Sequence, residues 1–137
     1  MKRKLLPLVL LVVVTLVLCH ICANRKSDVA FRYPDLTGVS SSIGRQLCRV
    51  SKEDAQNMTT RALVETVMTY PYLIDLYAFD SADLWFRQAQ NLPMIQELLG
   101  RKDGLKVLEA QAASECDVMR QMDYYNLIGC IKRASQE

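Results

Sequence analysis

The sequence predicts an all-α fold: a single small domain of about five or six short helices, following an N-terminal signal or anchor segment. Three observations predict it. Apolar residues recur at helical spacing from residue 45 onward, and no stretch alternates with a period of two between turn signals. Pro71, Asp80, Pro93 and Gly100 then cut the chain into short pieces joined by tight turns. About 90 residues at that density make one domain with one modest core.

Residues 1–23 come first. Lys2, Arg3 and Lys4 precede the apolar run "LLPLVLLVVVTLVLC", which fades into "HICAN". A basic stretch, a hydrophobic stretch and then small residues form the layout of a secretory signal, with cleavage expected after Ala23. The competing reading is a retained membrane anchor, since Leu5 to Ala23 would span roughly 28 Å as a helix. Both readings place the rest of the chain outside the cytoplasm, secreted or on the extracytoplasmic side of the membrane. On either, membrane contact is confined to residues 1–23.

Residues 24–44 hold Pro34, Gly38, Gly44 and a run of three serines without a sustained period. They read as an irregular lead-in or tether, with Phe31 and Tyr33 either docked on the domain or free. The helical domain occupies 45–137.

Ser51 with Asp54 is a capping-box variant that opens a short helix. Thr59 or Thr60 caps the next. There Leu63, Val64, Val67 and Met68 form one apolar face, and Arg61 and Glu65 pair at i, i+4 on the other. Pro71 ends that helix and starts "PYLIDLYAF". A further helix begins near Asp80-Ser81 and carries Leu84, Trp85 and Gln88. Asn91-Leu92-Pro93 breaks and restarts the chain, and "MIQELLG" ends at Gly100, read as a left-handed cap. Asp103 caps a longer helix with Leu105, Leu108 and Ala112 on one face. The last amphipathic stretch, 117–133, carries Val118, Met122, Leu127, Ile128 and Ile131.

Losing three of the 17 cations with residues 1–23 leaves 14 against 15 acids, so the basic balance belongs to the targeting segment. No basic stripe interleaved with aromatics remains, and nucleic acid is not an expected partner. The one histidine, His20, also lies in that segment. Without it the domain lacks the commonest general base and the commonest zinc ligand. No phosphate-binding glycine loop, nucleophile elbow or cysteine pair with metal spacing is present, so no cofactor or metal is expected and the domain is not read as an enzyme.

Cys48, Cys116 and Cys130 remain as disulfide candidates. Outside the cytoplasm three thiols allow three single bridges and leave one thiol over. Cys116 with Cys130 is favoured only if the chain reverses between them, because on one straight helix they would stand roughly 21 Å apart. The alternative is three reduced cysteines packed as small hydrophobes.

Six of the ten aromatic residues crowd into "YPYLIDLYAFDSADLWF". Tyr77, Phe79, Trp85 and Phe86 are expected in the core. Tyr70 and Tyr72 flank the Pro71 turn and are the candidate binding residues, an exposed amphipathic patch for a protein or glycan. Asp75, Asp80 and Asp83 cluster in sequence but lack the pattern of a carboxylate pair or a calcium loop, and read as caps and solvated faces. Asn57-Met58-Thr59 is a glycosylation sequon that matters only in a eukaryotic secretory pathway.

"MTTRALVETVMTYPYLIDLYAFDS" and "IQELLGRKDGLKVL" resemble a small helical module of secreted and surface proteins from gut-associated bacteria. The resemblance rests on Met58, Thr59, Thr60, Leu63, Val64, Tyr70, Pro71, Ala78, Phe79, Glu97, Leu98, Arg101 and Asp103, and runs from Cys48 to Leu108. Trp85-Phe86 and Leu92-Pro93 depart from the pattern. It implies a bacterial extracytoplasmic protein and carries no catalytic role.

The expected function is therefore a secreted or surface-tethered non-catalytic helical module that binds a protein or glycan. A secreted effector or inhibitor acting on an enzyme or receptor is the first alternative, and an enzyme using carboxylate chemistry the second.

Overall fold

The computed structural model describes residues 11–17, 26–77, 82–89 and 91–134. The described residues are all-α. Residues 11–17 (α1) precede Ser41–Leu47 (α2), Lys52–Asn57 (α3), Thr60–Met68 (α4), Leu73–Tyr77 (α5), Ala82–Ala89 (α6), Pro93–Gly100 (α7), Gly104–Ser114 (α8) and Val118–Ala134 (α9). The helices are shorter and more numerous than five or six, because each turn signal ends one and α2 forms at the edge of the stretch read as irregular. No helix among the described residues is long and apolar enough to cross a membrane. The cleavage site and most of residues 1–23 lie outside the described residues.

Helix α4 sits at the centre. Its Ala62, Leu63, Val64, Thr66, Val67 and Met68 are all buried, so nearly its whole circumference is covered. That is wider than the single face its spacing suggests. Helices α7 and α8 pack against α4 and each other, α3 packs on α7, and α9 lies along α8 with α5 and α6 against it. The core joins Leu63, Val67, Trp85, Met94, Ile95, Leu98, Leu108 and Leu127.

The remaining side of α4 is covered by the lead-in. Residues 26–39 lie along the domain as a strap rather than a free tether. Ser27 makes a single parallel bridge with Met58, its N–H donating to Asn57 O at 2.6 Å while its carbonyl accepts from Thr59 N at 2.7 Å. Thr66 is the buried polar side chain among the described residues. Its hydroxyl lies 2.8 Å from Ala62 O and accepts the Phe31 N–H at 2.9 Å, so the strap supplies the partner that makes its burial tolerable. The Tyr33 hydroxyl donates to Thr66 O at 2.9 Å and rests 3.2 Å from Met94 Sδ.

The caps are partly as expected. Ser51 Oγ accepts from Asp54 N and Thr59 Oγ1 from Ala62 N, fixing the starts of α3 and α4. Gly100 is not a left-handed cap: among the described residues only Gly38 has a positive φ, of 74°. Helix α7 instead ends by turning extended at Arg101, with φ −85° and ψ 128°. Asp103 occupies the N-cap position of α8 without a side-chain capping bond, and its carboxylate accepts from Thr60 Oγ1 at 3.0 Å.

Arg101 ties these pieces together. Its Nε donates to Glu97 Oε1 at 3.0 Å, Nη1 to Thr60 Oγ1 at 3.3 Å, and Nη2 to Ala55 O at 3.0 Å and Gln56 O at 3.4 Å. The last two are carbonyls at the end of α3 that no helical N–H can reach, and a cation there also faces the negative end of the helix dipole. Thr60, Glu97, Arg101 and Asp103 thus form a structural clamp between α3, α4, α7 and α8.

Candidate functional site

Tyr70 and Tyr72 do not form an exposed patch. Tyr70 is 6% exposed and Tyr72 half-buried. They continue a row of rings that begins on the strap: Phe31 to Tyr33 at 5.0 Å between centroids, Tyr33 to Tyr70 at 5.7 Å, and Tyr70 to Tyr72 at 5.7 Å. Edge and tilted contacts of this kind favour packing over display. The docked strap buries Tyr70, and nothing in the local spacing around Pro71 signals that contact. Burial pushes the phenols of Tyr33 and Tyr70 above their ordinary range.

Tyr72 ends the row beneath Arg45, whose guanidinium carbon stands 4.7 Å from its ring centroid and whose Nη2 pairs with Asp75 at 2.6 Å. Gly44 is needed here, since a Cβ on it would meet the Tyr72 hydroxyl at 2.0 Å. Asp75 is thus engaged, whereas Asp80 lies outside the described residues and Asp83 outside the described side chains. Of the aromatics expected in the core, Trp85 is 1% exposed. Phe79 and the side chains of Tyr77 and Phe86 lie outside those described.

Cys48, Cys116 and Cys130 are free thiols, with Cys48 and Cys130 buried and Cys116 exposed. The favoured Cys116–Cys130 bridge is ruled out by its own condition. The chain does not reverse after residue 118 but runs as one helix to Ala134, which holds the pair roughly 20 Å apart along the axis. Burial raises the Cys48 thiol above its ordinary pKa, and both Cys48 and Cys130 pack within the core as small hydrophobic side chains.

The expected Arg61–Glu65 pair is also corrected. Glu65 receives Arg120 from α9 instead, with Nη2 at 2.6 and 2.8 Å from its two carboxylate oxygens. Arg120 Nε lies 3.2 Å from Glu115 Oε2. A partner 55 residues away displaces the local one because Arg120, near the start of α9, reaches Glu65 with two oxygens in range, firmer geometry than two flexible side chains one turn apart. Hydrogen bonding to Glu65 raises the Arg120 pKa further, opposed by burial.

These residues line an open cleft of about 810 Å³ between the strap, α4, α8 and the start of α9, with Asp28, Arg61, Gln111 and Tyr124 on its walls. Tyr124 is 2% exposed and its hydroxyl donates to Gln111 Oε1 at 3.0 Å. Of the three acids on its walls, Glu65 and Glu115 are paired with Arg120, and Asp28 accepts from Thr59 Oγ1 at 2.8 Å. Among the described residues no group of three His, Cys, Asp or Glu side chains could hold a metal ion.

The least explained surface is the outer face of α9. Val118, Met119, Met122 and Tyr125 are 69, 72, 54 and 55% exposed, while Tyr124, Leu127, Ile128, Cys130 and Ile131 face the core. The apolar residues of this amphipathic stretch divide between two sides: at about 100° per residue, Val118 and Leu127 point in opposite directions. Gly129 lies on the outer side, and a Cβ built on it meets nothing within 4 Å. A glycine inside a helix costs about 1 kcal/mol relative to alanine, and no contact among the described residues accounts for that cost.

No family model, curated protein or solved structure matches this chain.

Proposed function

We propose that this chain is an extracytoplasmic, non-catalytic helical module that binds a protein partner through the outer face of α9. The carrying observation is the exposed row Val118, Met119, Met122 and Tyr125 on a helix that already has a complete apolar face turned to the core. A second apolar stripe on one helix costs solubility unless something covers it, and methionines and tyrosines suit adaptable protein contacts. Export is read from the basic and apolar layout of residues 1–23.

A protein is favoured over a glycan. Sugar recognition by stacking needs an open aromatic face, and Tyr70 is buried while Tyr72 lies under Arg45. A non-catalytic role is supported by the cleft, whose Glu65 and Glu115 are held by Arg120 rather than free to move a proton.

Photocrosslinking tests the reading. A photoreactive residue at 122 in the full chain, expressed in cells that naturally make it, is expected to give a discrete protein adduct that is absent when the probe replaces exposed Lys52. No adduct at 122, or equal adducts at both positions, would overturn it.

A further inference from the structure

Resting on the reading of α9 as a binding face, we infer that its partner is a second copy of this chain, packed α9 against α9 in antiparallel fashion. Three observations meet here. The first is spacing: Val118, Met122, Tyr125 and Gly129 follow one another in steps of four, three and four, the seam of a helix that packs on another helix. A flat or irregular partner would not need that repeat.

The second is Gly129. It interrupts a 17-residue helix on the outer side, in open space, where its own fold would accept alanine. A missing Cβ at that position lets another backbone or a large side chain approach closely.

The third is charge. The chain entering α9 carries Asp117, and its last turn carries Arg133; their neighbours Glu115 and Lys132 are already paired within the chain, with Arg120 and Glu109. An acid at one end of the helix and a cation at the other are complementary when a second copy runs in reverse. A two-fold axis between Met122 and Tyr125 seats each Tyr125 against Met122 of the second copy and each Val118 over its Gly129. The same axis brings Asp117 to the end of the second copy's helix that carries Arg133. Such an interface is isologous and closes on itself, so it predicts a dimer and not a filament.

The test uses the full chain with Cys19→Ser, Cys22→Ser and Cys116→Ser, which removes the thiols of residues 1–23 and the exposed thiol of the described residues while Cys48 and Cys130 stay buried. Met122→Cys treated with a short bismaleimide is expected to give a species of twice the chain mass, at least tenfold more than Lys52→Cys. Asp117→Lys or Arg133→Glu alone should reduce that yield severalfold, and the two together should restore it. Asp117 also accepts the Arg120 N–H at the start of α9, so loss of that contact is common to Asp117→Lys and the double variant and cannot produce the rescue. Equal yields at residues 122 and 52, or no rescue, would overturn the dimer. A photocrosslinked adduct at 122 with a different protein would overturn the dimer while leaving the binding face intact. No adduct of any kind would overturn both.

Discussion

Replacing Gly104 with alanine should destabilise the protein, although helix propensity alone argues the reverse. A Cβ on Gly104 would stand 2.5 Å from Leu98 O, a backbone atom that cannot swing aside. The clash is expected to cost about 1–3 kcal/mol and outweigh a propensity gain of about 1 kcal/mol. Gly129→Ala should do the opposite, raising monomer stability by up to about 1 kcal/mol, because its Cβ meets nothing. Urea midpoints of the two variants check both signs. Arg101→Met should cost about 3 kcal/mol: that side chain is 8% exposed, and its removal strips the Ala55 and Gln56 carbonyls and Glu97 of their donor. Some of this was legible from the residues themselves, as the Ser51 and Thr59 caps show. The clamp was not, because Thr60 and Arg101 are 41 residues apart and only the fold brings them together.

Among the elements, the strap is where sequence and structure diverge most. Residues 26–39 have no period because they form neither helix nor ladder, yet they supply the hydrogen-bond partner of Thr66 and the first two rings of the aromatic row. The strap should therefore fail in alkali. Burial raises the pKa of Tyr33 and Tyr70 in the folded chain, and of Tyr124 likewise. Above about pH 10 the unfolded chain gives up tyrosine protons that the folded chain retains. Stability is thus complete below that pH and is lost as pH rises further. Ionisation of the buried phenols, followed by tyrosinate absorbance, is expected to coincide with the loss of helical ellipticity. Ionisation of Tyr33 and Tyr70 while the helices remain intact would contradict strap burial. Helix α9 is the opposite case: its existence was plain in the sequence, but its facing was not, since it carries apolar side chains nearly all round and only contact with α8 shows which go inward.

At the scale of the whole molecule, turn punctuation and missing two-residue alternation were enough to read the all-α class, because both act locally. The exposed apolar face of α9 was not readable. Choosing among apolar side chains requires knowing which remain uncovered after strap, clamp and helices have packed, and that depends on contacts across the full length of the domain. The claim that joins fold to function is that this packing encloses Met58, Met68 and Met94 and leaves Met119 and Met122 outside. Labelling the methionine methyl groups with carbon-13 and adding a soluble nitroxide to dilute protein measures it directly. The resonances of Met119 and Met122 should broaden strongly while those of Met58, Met68 and Met94 stay sharp. Equal broadening of all five, or protection of Met119 and Met122 within the monomer, would contradict it.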